Sequence, residues 1–233
     1  MKQVIKDILN KCGVVIRRKQ PWMGNYAWLT NLNINTVIDI GANEGQFAQQ
    51  AREIFPSAVI HSFEPIKPVF EKLKKNLSAD PNTRLYNFAL GDIEGEVEMY
   101  INDFSPSSSI LELDKAHLDN YSHATKTSKE TITVNTLDSI LTPGSVKSNI
   151  LIKVDVQGYE DKVILGGQNL FKSATVAIVE TSYKMMYKDQ KLFEDIYGLM
   201  TGLGFKYRGN FGELNYENKT GEILFGDAIF IKD

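Results

Sequence analysis

Apolar and polar positions along the chain follow two periods, and the switches between them outline a fold. The first unbroken apolar run, Thr36–Ile40, suits a strand covered on both faces. Glycines follow, then Phe47, Ala51, Ile54 and Phe55 at helical spacing, and Pro56 ends that helix. Residues 58–63 read as a second strand, "EPIKPVFEKLKKNL" as a second helix with Val69, Phe70, Leu73 and Leu77 on one face, and residues 84–90 as a third strand. This alternation predicts an α/β fold: a mostly parallel sheet with helices on both faces and right-handed crossovers. Residues 95–101 form another short strand. Residues 102–129, with the run "SPSSSI", lack a core pattern and read as an irregular connection of the kind that carries function. Regularity returns with "TITVNTLDSIL", and the nearly continuous apolar run in "NILIKVDVQG" predicts a central strand. "YEDKVILGGQNLF" reads as one short helix, "ATVAIVET" as a buried strand, and residues 191–201 as a helix showing Leu192, Ile196, Leu199 and Met200. "GFKYRG" and "EILFGDAIFIKD" are strands with no room between them for a crossover helix, so they pair as an antiparallel hairpin at the sheet edge.

The composition narrows the class without naming a function. A chain of 233 residues, 42% apolar and 24% charged, fits one ordinary globular domain with decorations. Its net charge of -3 gives no general attraction to nucleic acid, so none is expected as a partner. The single cysteine, Cys12, cannot form an intramolecular disulfide, and a cytoplasmic chain is the natural reading. Charges interrupt the apolar residues of "MKQVIKDILNKCGVVIRRKQ", which therefore reads as neither a signal peptide nor a transmembrane segment. Val4, Ile5, Ile8 and Leu9 instead make the stripe of a short amphipathic helix that packs or caps the domain edge, the alternative being a membrane-surface or partner contact. Trp22, Tyr26 and Trp28 belong to a lead-in over the sheet edge or a pocket mouth. Residues 1–34 are thus a lead-in and residues 35–233 the domain, with 102–129 as an insertion on the substrate side.

"VIDIGANEGQF" lies where the first strand gives way to a helix. Gly41 and Gly45 allow close backbone approach or positive φ, and the first helical N–H groups point at whatever lies above the sheet. The spacing is GxxxG rather than GxGxxG and lacks a Gly-Lys-Ser/Thr ending, which counts against NAD and ATP. The second strand ends at Glu64, beside the same turn, where its carboxylate can accept hydrogen bonds from two vicinal ribose hydroxyls. Asp39 can brace the turn or face a ligand amine. "NFALGD" sets Ala89 and Leu90 beside an adenine slot, with Asn87 or Asp92 in reach of the exocyclic amine. In this order and spacing the segments point to a nucleoside-bearing cofactor.

A second acidic motif, "IKVDVQGYE", ends the central strand at Asp155 and brings Gln157, Tyr159 and Glu160 into the next turn. "VET" puts Glu180 at the end of the following strand, so Asp155, Glu160 and Glu180 are expected to converge as catalytic acids. A carboxylate base or a divalent cation would help an alcohol act as a nucleophile. The competing readings are that Asp155 binds a ligand ammonium, Glu160 caps a helix and Glu180 pairs with a cation. Lys153 faces the same side as Asp155 and can pair with it. No HxH, HExxH or cysteine cluster supports zinc, whereas a hard cation such as magnesium suits these oxygen ligands. In the polar connection, Ser107, Ser108 and Ser109 offer hydrogen bonds, and His117 and His123 read as solvent-facing. His61, inside a strand, reads as structural or as pocket wall; Tyr183 and the nearby "KMMYK" read as pocket residues, with Met185 and Met186 as packing.

Taken together, "VIDIGANEGQFA", "SFEP", "NFALGD", "PSSSI", "IKVDVQGYE" and "VET" resemble the FkbM family of S-adenosylmethionine-dependent methyltransferases over residues 35–233. The first three segments are shared in kind with many class I methyltransferases; the pairing of "FEP" with "KVDVQGYE" is more specific. The resemblance implies a class I, Rossmann-like sheet of seven strands with one antiparallel strand near its edge. It also implies S-adenosyl-L-methionine across the carboxyl ends of the strands, and methylation of a hydroxyl oxygen. The family's glycine-turn positions fall on Asp39, Gly41, Asn43 and Gly45, with Ala42 inside the turn, and its ribose acid falls on Glu64. The implied acceptor is a small hydroxylated molecule, a carbohydrate or natural-product intermediate. The alternatives are a nitrogen, carboxylate or macromolecular acceptor on the same fold, or a non-catalytic binding module. Oligomeric state is left open.

Overall fold

In the computed structural model, which describes residues 27–102, 108–120, 127–217 and 219–232, the apolar runs of the sequence become the strands of one seven-stranded sheet. In chain order its strands are β1 (Thr36–Ile40), β2 (Val59–Phe63), β3 (Thr83–Tyr86), β7 (Ile150–Val154), β8 (Val176–Ser182), β9 (Lys206–Tyr216) and β10 (Ile223–Ile231). They lie side by side as β3-β2-β1-β7-β8-β10-β9. β10 runs antiparallel to both of its neighbours and the other pairs are parallel. The C-terminal hairpin therefore stands at the edge, and the fold is the Rossmann-like class I methyltransferase arrangement.

The alternation of side chains explains why the central strands are apolar throughout. Ile38, Ile152, Val154 and Ala177 face one core, where α5 (Glu160–Gly166), α6 (Gln168–Ser173) and α7 (Phe193–Gly202) bring Val163, Phe171 and Met200. Val37, Ile60, Leu151 and Ile178 face the other, against Ala48, Ala51 and Ile54 of α1 (Gln46–Ile54) and Leu73 and Leu77 of α2 (Lys67–Leu77). With about 1.5–3 kcal/mol for each large apolar side chain withdrawn from water, a polar residue here survives only with a partner.

A second, three-stranded sheet is built from β4 (Ala89–Leu90), β5 (Gly95–Asn102) and β6 (Thr127–Asn135), with β6 in the middle. The single third strand expected over 84–90 is thus divided. Asn87 Nδ2 donates to Glu64 O (2.9 Å) and Pro65 O (3.0 Å), so a side chain takes the carbonyls just beyond the end of β2 and the chain turns off toward β6. The polar connection is partly ordered as well. β6 begins inside it, α3 (Lys115–Asn120) lies within it, and Ser109 bridges to Tyr100. After β6 comes the short α4 (Leu137–Ile140), whose Thr136 cap accepts Ser139 N–H. The one helix expected after Tyr159 is broken at Gly167, where a Cβ would lie 2.8 Å from Leu137 Cδ2. The amphipathic stripe of Val4, Ile5, Ile8 and Leu9, together with Cys12, Trp22, Tyr26, Ser107 and His123, lies outside the described residues. Among the described residues no helix is long and apolar enough to cross a membrane.

Candidate functional site

The carboxyl ends of β1, β2 and β7 open onto a cavity. Its first wall is the turn after β1. Gly41 N–H and Ala42 N–H both donate to Phe63 O, at 3.0 and 2.9 Å, which ties the turn to β2. Gly41 has φ +80°, and a Cβ there would sit 1.8 Å from the Asp155 carbonyl oxygen. Only glycine lets the turn pass so close to β7. Gly41 and Asn43 line the cavity. Gly45, also left-handed at φ +94°, faces α2 instead, where a Cβ would meet Leu73 Cδ1 at 2.9 Å. Ala42 is buried, and it shapes the turn from behind with Gly45.

Glu64 stands beside that turn. Its Oε2 accepts Asn43 N–H at 3.0 Å and its Oε1 accepts Ile66 N–H at 2.9 Å. Each oxygen keeps a further lone pair. Burial pushes the Glu64 carboxyl up to about 7, against the pull of its two backbone donors. Beyond it, Ile66, Phe88, Ala89, Leu90, Met99 and Ile110 make an apolar slot. Asp92 is paired with Lys162 at 3.0 Å, and Asn87 is engaged on backbone carbonyls.

The floor is acidic. Asp155 lines the cavity. Its Oδ2 accepts from Lys153 Nζ at 3.1 Å and its Oδ1 from Gln157 Nε2 at 2.8 Å. The same Gln157 nitrogen donates to Glu180 Oε2 at 2.7 Å, so an amide joins the two acids. Lys153 Nζ reaches Asp227 Oδ1 at 3.1 Å across β8. Burial alone would lower the Lys153 ammonium; Asp155, Asp227 and Glu180 outweigh it and keep the charge. Burial, and then Asp155, Glu160 and Asp227, push Glu180 well above the carboxylate range.

Of the three acids expected to converge, only Asp155 lines the cavity; Glu180 is joined to it through Gln157, and Glu160 is not. Glu160 lies beneath the 156–158 turn, where Oε1 accepts from Val156 N–H and Gly158 N–H, both at 3.1 Å, and Oε2 accepts from Gly158 N–H at 3.0 Å. Asp39 is also behind the wall. It is buried next to Lys153 in strand register, and burial pushes it up to about 7. Its Oδ2 has no partner among the described residues.

One participant was not singled out by sequence. Asp227, an acid inside the apolar run "EILFGDAIFIKD", was visible only as an interruption of that run. Tyr187 donates its hydroxyl to Gln157 Oε1 at 2.6 Å. Ser108 lines the cavity, and Ser109 Oγ donates to Gln157 O at 2.6 Å. His117 is buried against the Tyr187 ring at 5.5 Å rather than facing solvent, because α3 packs onto the 183–190 segment. His61 Nδ1 lies 3.0 Å from Tyr86 Oη, and burial lowers its imidazole to about 4, which makes it structural. Tyr183 stacks on Phe193, Met186 is buried and Met185 exposed. Among the described residues no group of three or more His, Cys, Asp or Glu is arranged to hold a metal ion.

A family model described as "Methyltransferase FkbM domain" matches residues 39–207. The 2-O-methyltransferase NoeI of Sinorhizobium fredii is 27% identical over 169 residues, covering 68% of this chain and 65% of that protein. The hexuronic acid methyltransferase AglP of Haloferax volcanii is 28% identical over 145 residues, covering 61% of this chain and 54% of that one. The chain thus spans less than two thirds of the length of either relative. A crystal structure of a methyltransferase FkbM from Methylobacillus flagellatus KT shares the fold, with a TM-score of 0.53 at 11% identity, over 85% of this chain and 44% of that one.

Proposed function

The chain belongs to the FkbM family of methyltransferases, and on that footing we propose that it transfers a methyl group from S-adenosyl-L-methionine to a hydroxyl oxygen of a small saccharide. The observation that carries this reading is the gathering of Gly41, Glu64 and Asp155 around one apolar-walled cavity at the carboxyl ends of the strands. These residues suit the cofactor. The Gly41 cradle has no space for a side chain, Glu64 has lone pairs to spare for a ribose diol, and Phe88, Ala89 and Leu90 offer an adenine a flat apolar berth. When bound, S-adenosyl-L-methionine supplies an activated methyl group on a positively charged sulfonium. Asp155 and Glu180 are the acids for the acceptor side. Joined through Gln157 at the end of β7, the pair can receive the hydroxyl proton. Glu160 we assign to holding the turn that presents them. The saccharide acceptor is supported by the two relatives, one named for 2-O-methylation and the other for hexuronic acid.

Calorimetry with S-adenosylhomocysteine, paired with transfer of a labelled methyl group to a panel of neutral and uronic saccharides, tests the proposal. Expected are binding by the wild type, an affinity loss of about 10- to 100-fold in Glu64→Ala, and label on a saccharide oxygen. Repeating the transfer with chelator and with magnesium added back reports whether a hard cation takes part. Binding without transfer to any hydroxyl would leave a binding module, and absence of binding would overturn the cofactor assignment.

A further inference from the structure

Gln157 sits where the 109–113 and 183–190 segments meet the acidic floor. Its backbone is left-handed, with φ 59°, a conformation that glycine or asparagine adopts more cheaply. The side chain accounts for the choice. Its Nε2 donates to Asp155 Oδ1 at 2.8 Å and to Glu180 Oε2 at 2.7 Å, while Oε1 accepts the Tyr187 hydroxyl at 2.6 Å. Both amide hydrogens are engaged by the protein, so this residue, although it lines the cavity, has no donor left for a ligand. Reversing the amide would set Oε1 against two carboxylates, and the Tyr187 hydroxyl would lose its acceptor. The orientation is therefore determined by its neighbours.

The Tyr187 end is itself fixed. A Cβ on Gly158 would come within 3.1 Å of Tyr187 Cδ2, so the ring lies directly on the 157–158 turn. Tyr187 N–H donates to Gln190 Oε1 at 3.1 Å, and Tyr187 bridges to Leu113. From the same side Ser109 Oγ donates to the Gln157 carbonyl at 2.6 Å. The 109–113 and 183–190 segments thus grip Gln157 from outside, while the two acids engage it from within.

We propose that Gln157 is a positioning residue that locks Asp155, at the cavity, and Glu180, behind it, into one hydrogen-bonded pair, and that the lock depends on the seating of Tyr187. What the pair then does to an acceptor hydroxyl rests on the methyltransferase reading above; the lock itself does not. An N–H donated to a carboxylate favours its charged form, so the amide offsets part of the repulsion between the two acids. The other groups facing Glu180 are Glu160 on α5, Asp227 on β10 and Lys153 on β7. A glutamate at 157 would replace that shared donor by another negative charge.

The test is a carboxyl titration of the cofactor-free protein, carbon-13 labelled at Asp and Glu side chains and followed by NMR, in wild type, Gln157→Gly and Tyr187→Phe. Gln157→Gly relieves the backbone and is expected to keep a cooperative thermal transition, while the Glu180 midpoint moves up by about one pH unit, the worth of one charge-assisted hydrogen bond. Tyr187→Phe is expected to move it the same way by less, and it carries the test alone if the glycine variant does not fold. Midpoints unmoved in the folded variants would reduce Gln157 to a structural turn residue and overturn the lock. Affinity for S-adenosylhomocysteine should stay within about threefold in both variants, because no donor of the amide is free for a ligand; a large loss would make Gln157 a ligand contact instead. A wild type that fails to bind S-adenosylhomocysteine would sink the cofactor assignment, and the titration would still decide the lock.

Discussion

Gly41 and Gly45 share one motif and positive φ, yet different neighbours require them. At Gly41 the obstacle to a side chain is a backbone carbonyl, Asp155 O, at 1.8 Å from the site of a Cβ, and backbone in the middle of a sheet does not yield. At Gly45 it is the end of Leu73, which can shift. Gly41→Ala should therefore cost more than about 3 kcal/mol, combining left-handed strain with a collision at the cavity wall. Urea denaturation of Gly41→Ala beside Gly144→Ala checks this. Gly144 has no atom within 4 Å of a Cβ and no left-handed φ, so its variant should stay within about 1 kcal/mol of wild type. Equal losses in the two would show that the Asp155 contact is not what matters. The turn was legible in the sequence, because a strand followed by GxxxG leaves little choice. Which face each glycine serves was not, because that depends on α2 and β7, distant in sequence. Glu160 illustrates the same limit. Residue type and spacing place it near Asp155, but only the fold of the 156–158 turn shows both of its oxygens taken by backbone amides.

Elements with a continuous local pattern were readable, and those divided by a long-range contact were not. β1, α1, β2, α2, β7 and β8 follow from apolar period alone, since each buries its own face. Residues 84–90 look like one strand, but the Asn87 amide bonded to Glu64 O and Pro65 O ends β3 and sends β4 into the second sheet. β6 was likewise half hidden, because its pairing with β5 joins Gly95 to Val134 across the polar connection. Arg52 is a comparable device between elements. Its Nη1 donates to the carbonyls of Phe55, Pro56 and Ala58 at 3.2, 2.9 and 2.7 Å, and its Nη2 pairs with Asp80 at 2.7 Å. One guanidinium thus closes the end of α1, the entry to β2 and the loop before β3. Arg52→Met should destabilise by about 2–3 kcal/mol, and Arg52→Lys should recover less than half of that, because an ammonium cannot span the fork. Chemical denaturation of the two variants measures both; full recovery by lysine would mean that charge alone is at work.

At the scale of the whole molecule, a row of acids, Asp39 on β1, Asp155 after β7, Glu180 on β8 and Asp227 on β10, gathers around the ammonium of Lys153. Burial raises Asp39, Glu64 and Glu160 each to about 7 from ordinary values of 3.8, 4.5 and 4.5. A carboxyl raised by folding binds its proton more tightly in the native state than in the unfolded chain. Its contribution is complete below about pH 4 and is lost as pH rises through about 7, at roughly 1.4 kcal/mol per pH unit for each extra proton held. His61 works in the opposite sense. Lowered to about 4 from 6.5, it favours the fold above pH 6.5 and loses that contribution as pH falls toward 4. These three acids, with Glu180 raised in the same sense, outweigh the lowered imidazole and leave a net fall in stability with rising pH, on the order of 1 kcal/mol or more per unit between pH 5 and 7. The cofactor-free protein should accordingly show a higher urea midpoint at pH 5 than at pH 7.5. Asp39→Asn should flatten the dependence, because Asp39 is fully enclosed and takes no part in lining the cavity. A midpoint that rises from pH 5 to 7.5 would mean that these acids are ionised in the native state at little cost. A positively charged ligand above the row would favour the ionised acids and release their protons, so binding is expected to be tighter at pH 8 than at pH 6. Calorimetry of S-adenosylmethionine in two buffers of different ionisation enthalpy reads that proton release directly, and identical heats in both would separate the acidic row from cofactor binding.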